Sequence, residues 1–172
     1  MKLPINEYPP FFEPYLAMVE EDVLHALKVQ LEHFTAFIQR IPEEKHLFRY
    51  GPNKWTIKEV VGHVTDTERL KSTVAFRIAR KDTASLPGFD EDAYVLATDF
   101  NARSMDNLLA EFVAVRKSTI QLCASLREEE MKRIGFASNA HVSTRALLYF
   151  CVAHALHHEN ILKERYLGAM DF

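Results

Sequence analysis

Residues 143–167 read STRALLYFCVAHALHHENILKERYL, and this stretch decides the fold class of the chain. When it is drawn as an α-helix, at about 100° per residue, apolar residues and two histidines fall on one narrow stripe. The stripe consists of Leu147, Cys151, His154, His158, Ile161 and Leu162. The pattern therefore predicts a helix whose buried face carries two imidazoles, one turn apart.

His157 stands apart from this stripe, about 80° to one side. We therefore expect His154 and His158 to form the inward pair, with His157 at the rim; a pairing of His154 with His157 is the alternative. Ser143 is expected to cap the start of the helix, and Gly168 to end it in the αL conformation.

A second helical stretch, residues 56–81, carries another inward histidine. Its start has the residues of a capping box, because the Thr56 hydroxyl can accept from the backbone N–H of Glu59 while the Glu59 side chain reaches back. The apolar seam that follows contains Val60, His63, Thr67, Leu70, Val74 and Ile78. His63 thus lies on the face that the helix is expected to bury.

Two more stretches show helical periodicity, residues 18–41 and residues 104–126, and Ser104 is expected to cap the latter. No alternating strand pattern of useful length is present. The sequence therefore predicts an all-α protein, a four-helix bundle that forms a single domain over residues 1–172.

A long connection, residues 82–103, separates the second predicted helix from the third. It contains LPGFDEDAYV, in which Pro87-Gly88 predicts a turn and Asp90 can cap a short helical turn. Connections of this length often have a function. The alternative is a plain crossover between helices that are not antiparallel neighbours.

Three imidazoles on two buried seams indicate a metal site formed by His63, His154 and His158. Each buried ring needs partners for its nitrogens, and a divalent cation satisfies all three at once. A polar histidine network is the alternative. Imidazole suits zinc, nickel, iron or copper, whereas magnesium and calcium prefer oxygen ligands. Three protein ligands with an open fourth position are typical of catalytic sites.

Four residues near His63 and His158 are candidates for orienting the ligands: Glu59, Asp66, Thr67 and Glu159. We prefer Asp66, either as a hydrogen-bond acceptor or as a base acting through water at the metal. Its alternative is a surface acid that pairs with Arg69 or Lys58.

Arg116 is expected near the inner face of the third helix. It can pair with Asp66 or Glu59, bind an anionic substrate, or extend to the bundle edge. The remaining histidines are expected at the surface: His25, His33, His46 and His141.

Composition excludes several classes of protein. The 172 residues are 48% hydrophobic and carry a formal net charge of −3, which gives no electrostatic case for binding nucleic acid or an anionic membrane. The two cysteines, Cys123 and Cys151, fall in apolar patterns and are expected to be buried thiols.

No apolar run reaches the roughly 18–20 residues of a membrane span, and the segment MKLPINEYPPFFEPY does not have the pattern of a signal peptide. A cytoplasmic location is expected.

The chain resembles the DinB/YfiT-like superfamily of four-helix-bundle proteins. The matching segments are KWTIKEVVGHVTDTERL with His63, AHALHHENILKERYL with His154 and His158, and LPGFDEDAYV in the long connection. The resemblance implies a bundle with a long link between helices 2 and 3, often a homodimer, whose three histidines bind zinc or nickel. Many members follow the paired histidines with Gly-Gln-Ile or Gly-Gln-Leu, where this chain has Glu159-Asn160-Ile161.

The resemblance also implies two kinds of function. Some relatives are transferases and isomerases that use a low-molecular-weight thiol, and others are linked to DNA-damage induction without a known reaction. We therefore expect a metal-dependent enzyme, a thiol-dependent transferase or a hydrolase, that acts on a small molecule. The alternative is a non-catalytic metal-binding module of a stress response.

Overall fold

Four long helices form the bundle in this computed structural model, which describes residues 3–168. The helices, in order, are α1 (Glu13–Leu16), α2 (Val23–Gln39), α3 (Ile57–Ala79), α4 (Glu91–Leu96), α5 (Met105–Ser125), α6 (Glu128–Met131) and α7 (Thr144–Ile161). The strands β1 (Ile134–Ala137) and β2 (Ala140–Ser143) precede α7, and a π-helical segment, Leu162–Leu167, follows it. The predicted four-helix bundle is confirmed. Its predicted bounds, 1–172, include residues 1–2 and 169–172, which lie outside the described part.

The long helices begin where the sequence supplies capping side chains. The Thr56 hydroxyl accepts from Glu59 N at 3.1 Å and the Glu59 carboxylate accepts from Thr56 N at 2.6 Å, which completes the predicted capping box. Ser104 and Ser143 cap α5 and α7 as predicted.

One predicted helix start was wrong, and Gly168 follows the last helical residue as predicted but in a different conformation. The first long helix begins at Val23 rather than at residue 18, because the Asp22 carboxylate accepts from two backbone N–H groups of the next turn. At the other end of the bundle, Gly168 has φ 61° and ψ −132°, which lies outside the αL region.

The predicted all-α class is confirmed, with one minor element that the sequence pattern did not indicate: β1 and β2 form a two-stranded hairpin. Their register runs from Ile134 opposite Ser143 to Ala137 opposite Ala140. The two turn residues, Ser138 and Asn139, both have positive φ, as a tight two-residue turn requires. Strands of four residues are too short to display a recognisable alternation.

The long connection predicted between helices 2 and 3 is present and anchored at both ends. At its start, Leu86 N donates to Phe136 O and Ser138 N donates to Leu86 O, which fixes the connection to the hairpin. The short helix α4 follows, capped by Asp90 as predicted. At its end, the ring of Phe100 packs on Gly62 of α3, where a Cβ would lie 2.4 Å from that ring. None of the helices within residues 3–168 is long and apolar enough to span a membrane.

The helices alternate around the bundle, because α2 and α3 each pack against both α5 and α7. Apolar residues form two separate clusters, one at each end of the bundle. Between them each long helix contributes a buried polar residue: Gln30, Glu68, Arg116 and His154. We call these four residues the polar layer.

Arg116 is the centre of the polar layer and has no exposed surface. Its Nε and Nη2 each donate to the Glu68 carboxylate at 2.7 Å, and its Nη1 donates to Gln30 Oε1 at 2.7 Å. Gln30 Nε2 in turn donates to Val152 O of α7 at 2.8 Å. The predicted partners Asp66 and Glu59 were wrong, and so was the extended conformation toward the bundle edge. The buried guanidinium needs a carboxylate close to it, and the acid that pairs with Arg116 is Glu68.

We expect Glu68→Ala to lower the free energy of unfolding by about 3–5 kcal/mol, because it leaves the Arg116 charge buried and unpaired. Urea unfolding followed by circular dichroism measures the change. Glu129→Ala is the matched control, since Glu129 pairs with Arg127 on the surface, and it should leave the transition unchanged. Replacing both buried partners, Glu68→Leu with Arg116→Met, should recover much of the loss. A Glu68→Ala protein as stable as the wild type would contradict this account.

Candidate metal centre

His63 is held on α3 with its ring inside the bundle, 2% exposed. Its helix is capped about two turns earlier at Thr56. The ring of Trp55, just before the cap, packs on the His63 ring with centroids 4.5 Å apart. The indole therefore closes one side of the imidazole. The sequence pattern did not indicate a role for Trp55 in the site, although Trp55 directly precedes the predicted helix cap Thr56.

The three histidine rings meet around the Nε2 atom of His154. His63 Nε2 lies 3.1 Å from His154 Nε2, and His158 Nε2 lies 3.2 Å from the same atom. One ligand atom from each ring lies within 4.8 Å of the others. The tertiary structure thus brings together the three histidines that the sequence singled out, and we call them the histidine cluster.

Hydrogen bonds alone cannot satisfy the histidine cluster. A neutral imidazole nitrogen is either a donor or an acceptor, and His154 Nε2 faces two other Nε2 atoms. With a single N–H or a single in-plane lone pair, His154 Nε2 can make a well-aligned hydrogen bond along only one of these two contacts. Three lone pairs directed at one cation have no such conflict, and nitrogens held about 2.0–2.1 Å from a tetrahedral zinc lie roughly 3.3 Å apart. The donor set and its spacing therefore fit a divalent metal.

Burial keeps the three imidazoles neutral, which is the form that binds metals. Loss of hydration lowers the pKa of His63 to about 4 and that of His158 to about 3. The pKa of His154 is also strongly lowered, first by burial and then by the two neighbouring rings. The Phe150 ring, stacked on His154 at 5.5 Å, contributes to the apolar surroundings.

His157 lies beside the histidine cluster and outside it, as expected. Its ring contacts Tyr15 at 4.9 Å and His158 at 5.2 Å. Among the other histidines, His25, His33 and His141 are exposed as expected, while His46 is half-buried and bonds to Ile41 O at 3.1 Å.

The acidic candidates for orienting the ligands have other partners. Asp66 pairs with Arg69 at 3.3 Å, the arrangement given above as its alternative, and burial raises the pKa of its carboxyl. Glu59 is used by the capping box and by Asn101, and Glu159 binds Lys163 at 2.6 Å. Thr67, the fourth candidate, keeps a buried hydroxyl without a hydrogen-bond partner in the described part of the chain, as Thr144 also does.

The sequence model of the DinB superfamily matches residues 26–162. The chain belongs to the DinB superfamily. The family resemblance that the sequence motifs indicated is therefore confirmed. A comparison with curated proteins gave no match.

Two solved structures of this superfamily's fold come from Bacillus subtilis. YfiT, described as a probable metal-dependent hydrolase with an unusual four-helix bundle topology, has a TM-score of 0.70 and 18% identity, covering 91% of this chain and 90% of YfiT. The DinB-like protein YjoA has a TM-score of 0.59 and 16% identity, covering 83% of this chain and 87% of YjoA. At these identities the likeness establishes the fold of the DinB bundle.

The metal-free protein should lose stability as the pH falls from about 6.5 toward 4. In this window the unfolded chain protonates imidazoles of ordinary pKa 6.5, whereas burial keeps the pKa of His63 near 4 and that of His158 near 3. The unfolded state then binds more protons, so the free energy of unfolding falls by about 1.4 kcal/mol per pH unit for each such group.

Urea unfolding in the presence of a chelator, at several pH values, measures this dependence. His158→Gln should give a shallower slope than the wild type, because its side chain does not titrate. His33→Gln, at an exposed position of α2, should keep the wild-type slope. Equal slopes for all three proteins would contradict the assignment.

Proposed function

We propose that this DinB protein binds one divalent metal ion through His63, His154 and His158 and uses it to activate a nucleophile toward a small-molecule electrophile. The supporting observation is the convergence of three Nε2 atoms, with contacts of 3.1 and 3.2 Å. Zinc and nickel are the proposed metals, since imidazole ligands suit both.

An enzymatic role is supported by the number of ligands. Within residues 3–168 the cluster has three members, and no Asp, Glu or Cys of this part joins it as a fourth. Structural zinc sites are usually closed by four protein ligands, whereas catalytic sites keep one position open. This count favours an enzyme over the non-catalytic metal-binding module.

The chemistry would come from the metal together with its surroundings. When bound, a divalent metal lowers the pKa of water or a thiol in the open position enough for attack at neutral pH. The chain's own residues keep the three imidazoles neutral by burial, and Trp55 and Phe150 pack on two of the rings. Burial and the packing of these two aromatic rings keep bulk water away from the ligands.

Two nucleophiles are supported by different observations. Thiol transfer is favoured because the acids nearest in sequence, Glu59, Asp66 and Glu159, are all paired elsewhere, and a thiol of pKa near 8.5 needs less help from a base than water does. Hydrolysis is favoured by the description of YfiT as a probable metal-dependent hydrolase. The homodimer implied by the family, and a cytoplasmic location, belong to the same proposal.

Protein purified without a histidine tag should contain about one zinc or nickel ion per chain, measured by mass spectrometry of the metals. The triple variant His63→Ala, His154→Ala, His158→Ala should contain almost none, because all three proposed ligands are gone. The matched control replaces three exposed histidines, His25, His33 and His141, and should keep the wild-type content. A triple ligand variant with full metal content would sink the proposal.

The metal-loaded protein should release halide from an electrophilic aryl halide such as 1-chloro-2,4-dinitrobenzene only when a thiol is supplied. Glutathione, cysteine and a sugar thiol are tested in parallel, with His158→Ala as the inactive control. Turnover of a 4-nitrophenyl ester without any thiol would instead support hydrolysis. If the wild-type protein converts neither substrate faster than the His158→Ala variant does, the proposed enzymatic function is contradicted. The non-catalytic metal-binding module is then favoured.

A further inference from the structure

Beyond the histidine cluster, α3 carries two further polar side chains on the same helix face. Thr67 follows His63 by four residues and Lys71 follows Thr67 by four, so successive members lie one above the other, about 6 Å apart along the axis. This face packs against α7, the helix of the other two histidines. The row therefore leads away from the cluster between two helices.

The hydroxyl of Thr67 is one of two on the described helices that lack a hydrogen bond, the other being that of Thr144 at the start of α7. Thr35, Thr65, Thr73 and Thr119 each donate to the carbonyl four residues earlier, at 2.6–3.1 Å. Thr67 makes no such bond, is 1% exposed, and has no other partner among the described residues. A buried hydroxyl without a partner costs stability, so it is suited to hydrogen bonding with a ligand.

Lys71 is a half-buried ammonium that forms no ion pair or hydrogen bond within residues 3–168. Its Nζ lies 5.6 Å from the centre of the Phe150 ring and 5.9 Å from that of Phe89, and burial lowers its pKa. The acid whose charge acts on the ammonium is Glu91 of α4. Aromatic faces stabilise the ammonium only in part, which leaves capacity for an anion.

A cavity of about 120 Å³ adjoins Lys71. It is lined by the N-terminal segment with Phe12, by α3, by the long connection with Phe89 and Tyr94, and by the hairpin turn. An apolar cavity of about 150 Å³ accepts benzene in another protein, so this smaller one restricts the bound apolar group to about the size of one benzene ring or less. Phe150 joins the two regions, because its ring stacks on Phe12 at 4.2 Å and on His154 at 5.5 Å.

We propose that Lys71 and Thr67 bind the carboxylate of a substrate whose small apolar or aromatic part lies in the cavity under Phe89, so that the substrates of this protein are organic acids. The proposal rests on the proposed function, since it describes the substrate of the same site. The long connection would then form part of the substrate site, because residues from the segment 87–94 line this cavity. An ammonium and a hydroxyl together select a carboxylate over its neutral amide.

Isothermal titration with benzoate and with benzamide tests the proposal on the metal-loaded protein and again after chelation. Wild-type protein should bind benzoate at least about tenfold more tightly than benzamide in both states. Lys71→Met should lose this preference, whereas Lys71→Arg should keep it. Thr67→Val should weaken benzoate binding by a smaller factor, and Thr67→Ser should restore it. Lys117→Met, at an exposed position of α5, is the matched control and should behave as wild type.

The possible outcomes separate this proposal from the metal site itself. Lys71→Met should keep the wild-type metal content, because Lys71 is not a ligand. Benzoate binding that disappears on chelation and is unaffected by Lys71→Met would place the carboxylate on the metal and overturn the proposal. Equal affinity for benzoate and benzamide, or no binding of either, would also overturn it. Failure of the proposed function would appear elsewhere, as full metal content in the triple histidine variant.

Discussion

The buried ion pair between Arg116 and Glu68 is the interaction on which the rest of the structure depends. The guanidinium is completely buried and bonds to side chains of α2 and α3, with longer contacts to the backbone oxygens of Leu27 and Cys151 at 3.4 Å. All four long helices therefore meet at one side chain. Because an unpaired charge in this position is strongly unfavourable, the helices are held at one axial position relative to one another, which apolar packing alone defines less sharply.

The polar layer also determines where the histidines of α7 lie. Gln30 bonds to Val152 O, and Arg116 approaches Cys151 O, so α7 is held less than one turn before His154. On α3, Glu68 lies five residues after His63. The same hydrogen bonds that separate the two apolar clusters thus set the distance between the helices that carry the histidine cluster. A shift of α7 by one residue would move both of its imidazoles by about 100° around the helix axis.

The long connection completes the surroundings of the site from the other side. It is tied to the β-hairpin through Leu86, and Phe100 packs on the glycine that precedes His63. Between these two attachments lie Phe89 and Tyr94, whose rings contact each other at 5.0 Å and line the cavity beside Lys71. A connection of this length is needed to cover a binding site, whereas a shorter one would be enough to join two helices.

Local sequence determined the helices, their caps at Thr56, Ser104 and Ser143, the family, and which histidines face inward, because these follow from periodicity and from short-range hydrogen bonds. It did not reveal the β-hairpin, whose strands are too short to show a period, or the π-helical segment after Ile161. Only the tertiary structure decided that Arg116 pairs with Glu68 rather than with Asp66 or Glu59. All three acids lie on α3, and which of them is buried opposite α5 depends on the rotation and axial position of whole helices. The same is true of Thr67 and Lys71: their spacing from His63 can be read from the chain, but the missing partner and the adjoining cavity arise from packing between segments far apart in sequence.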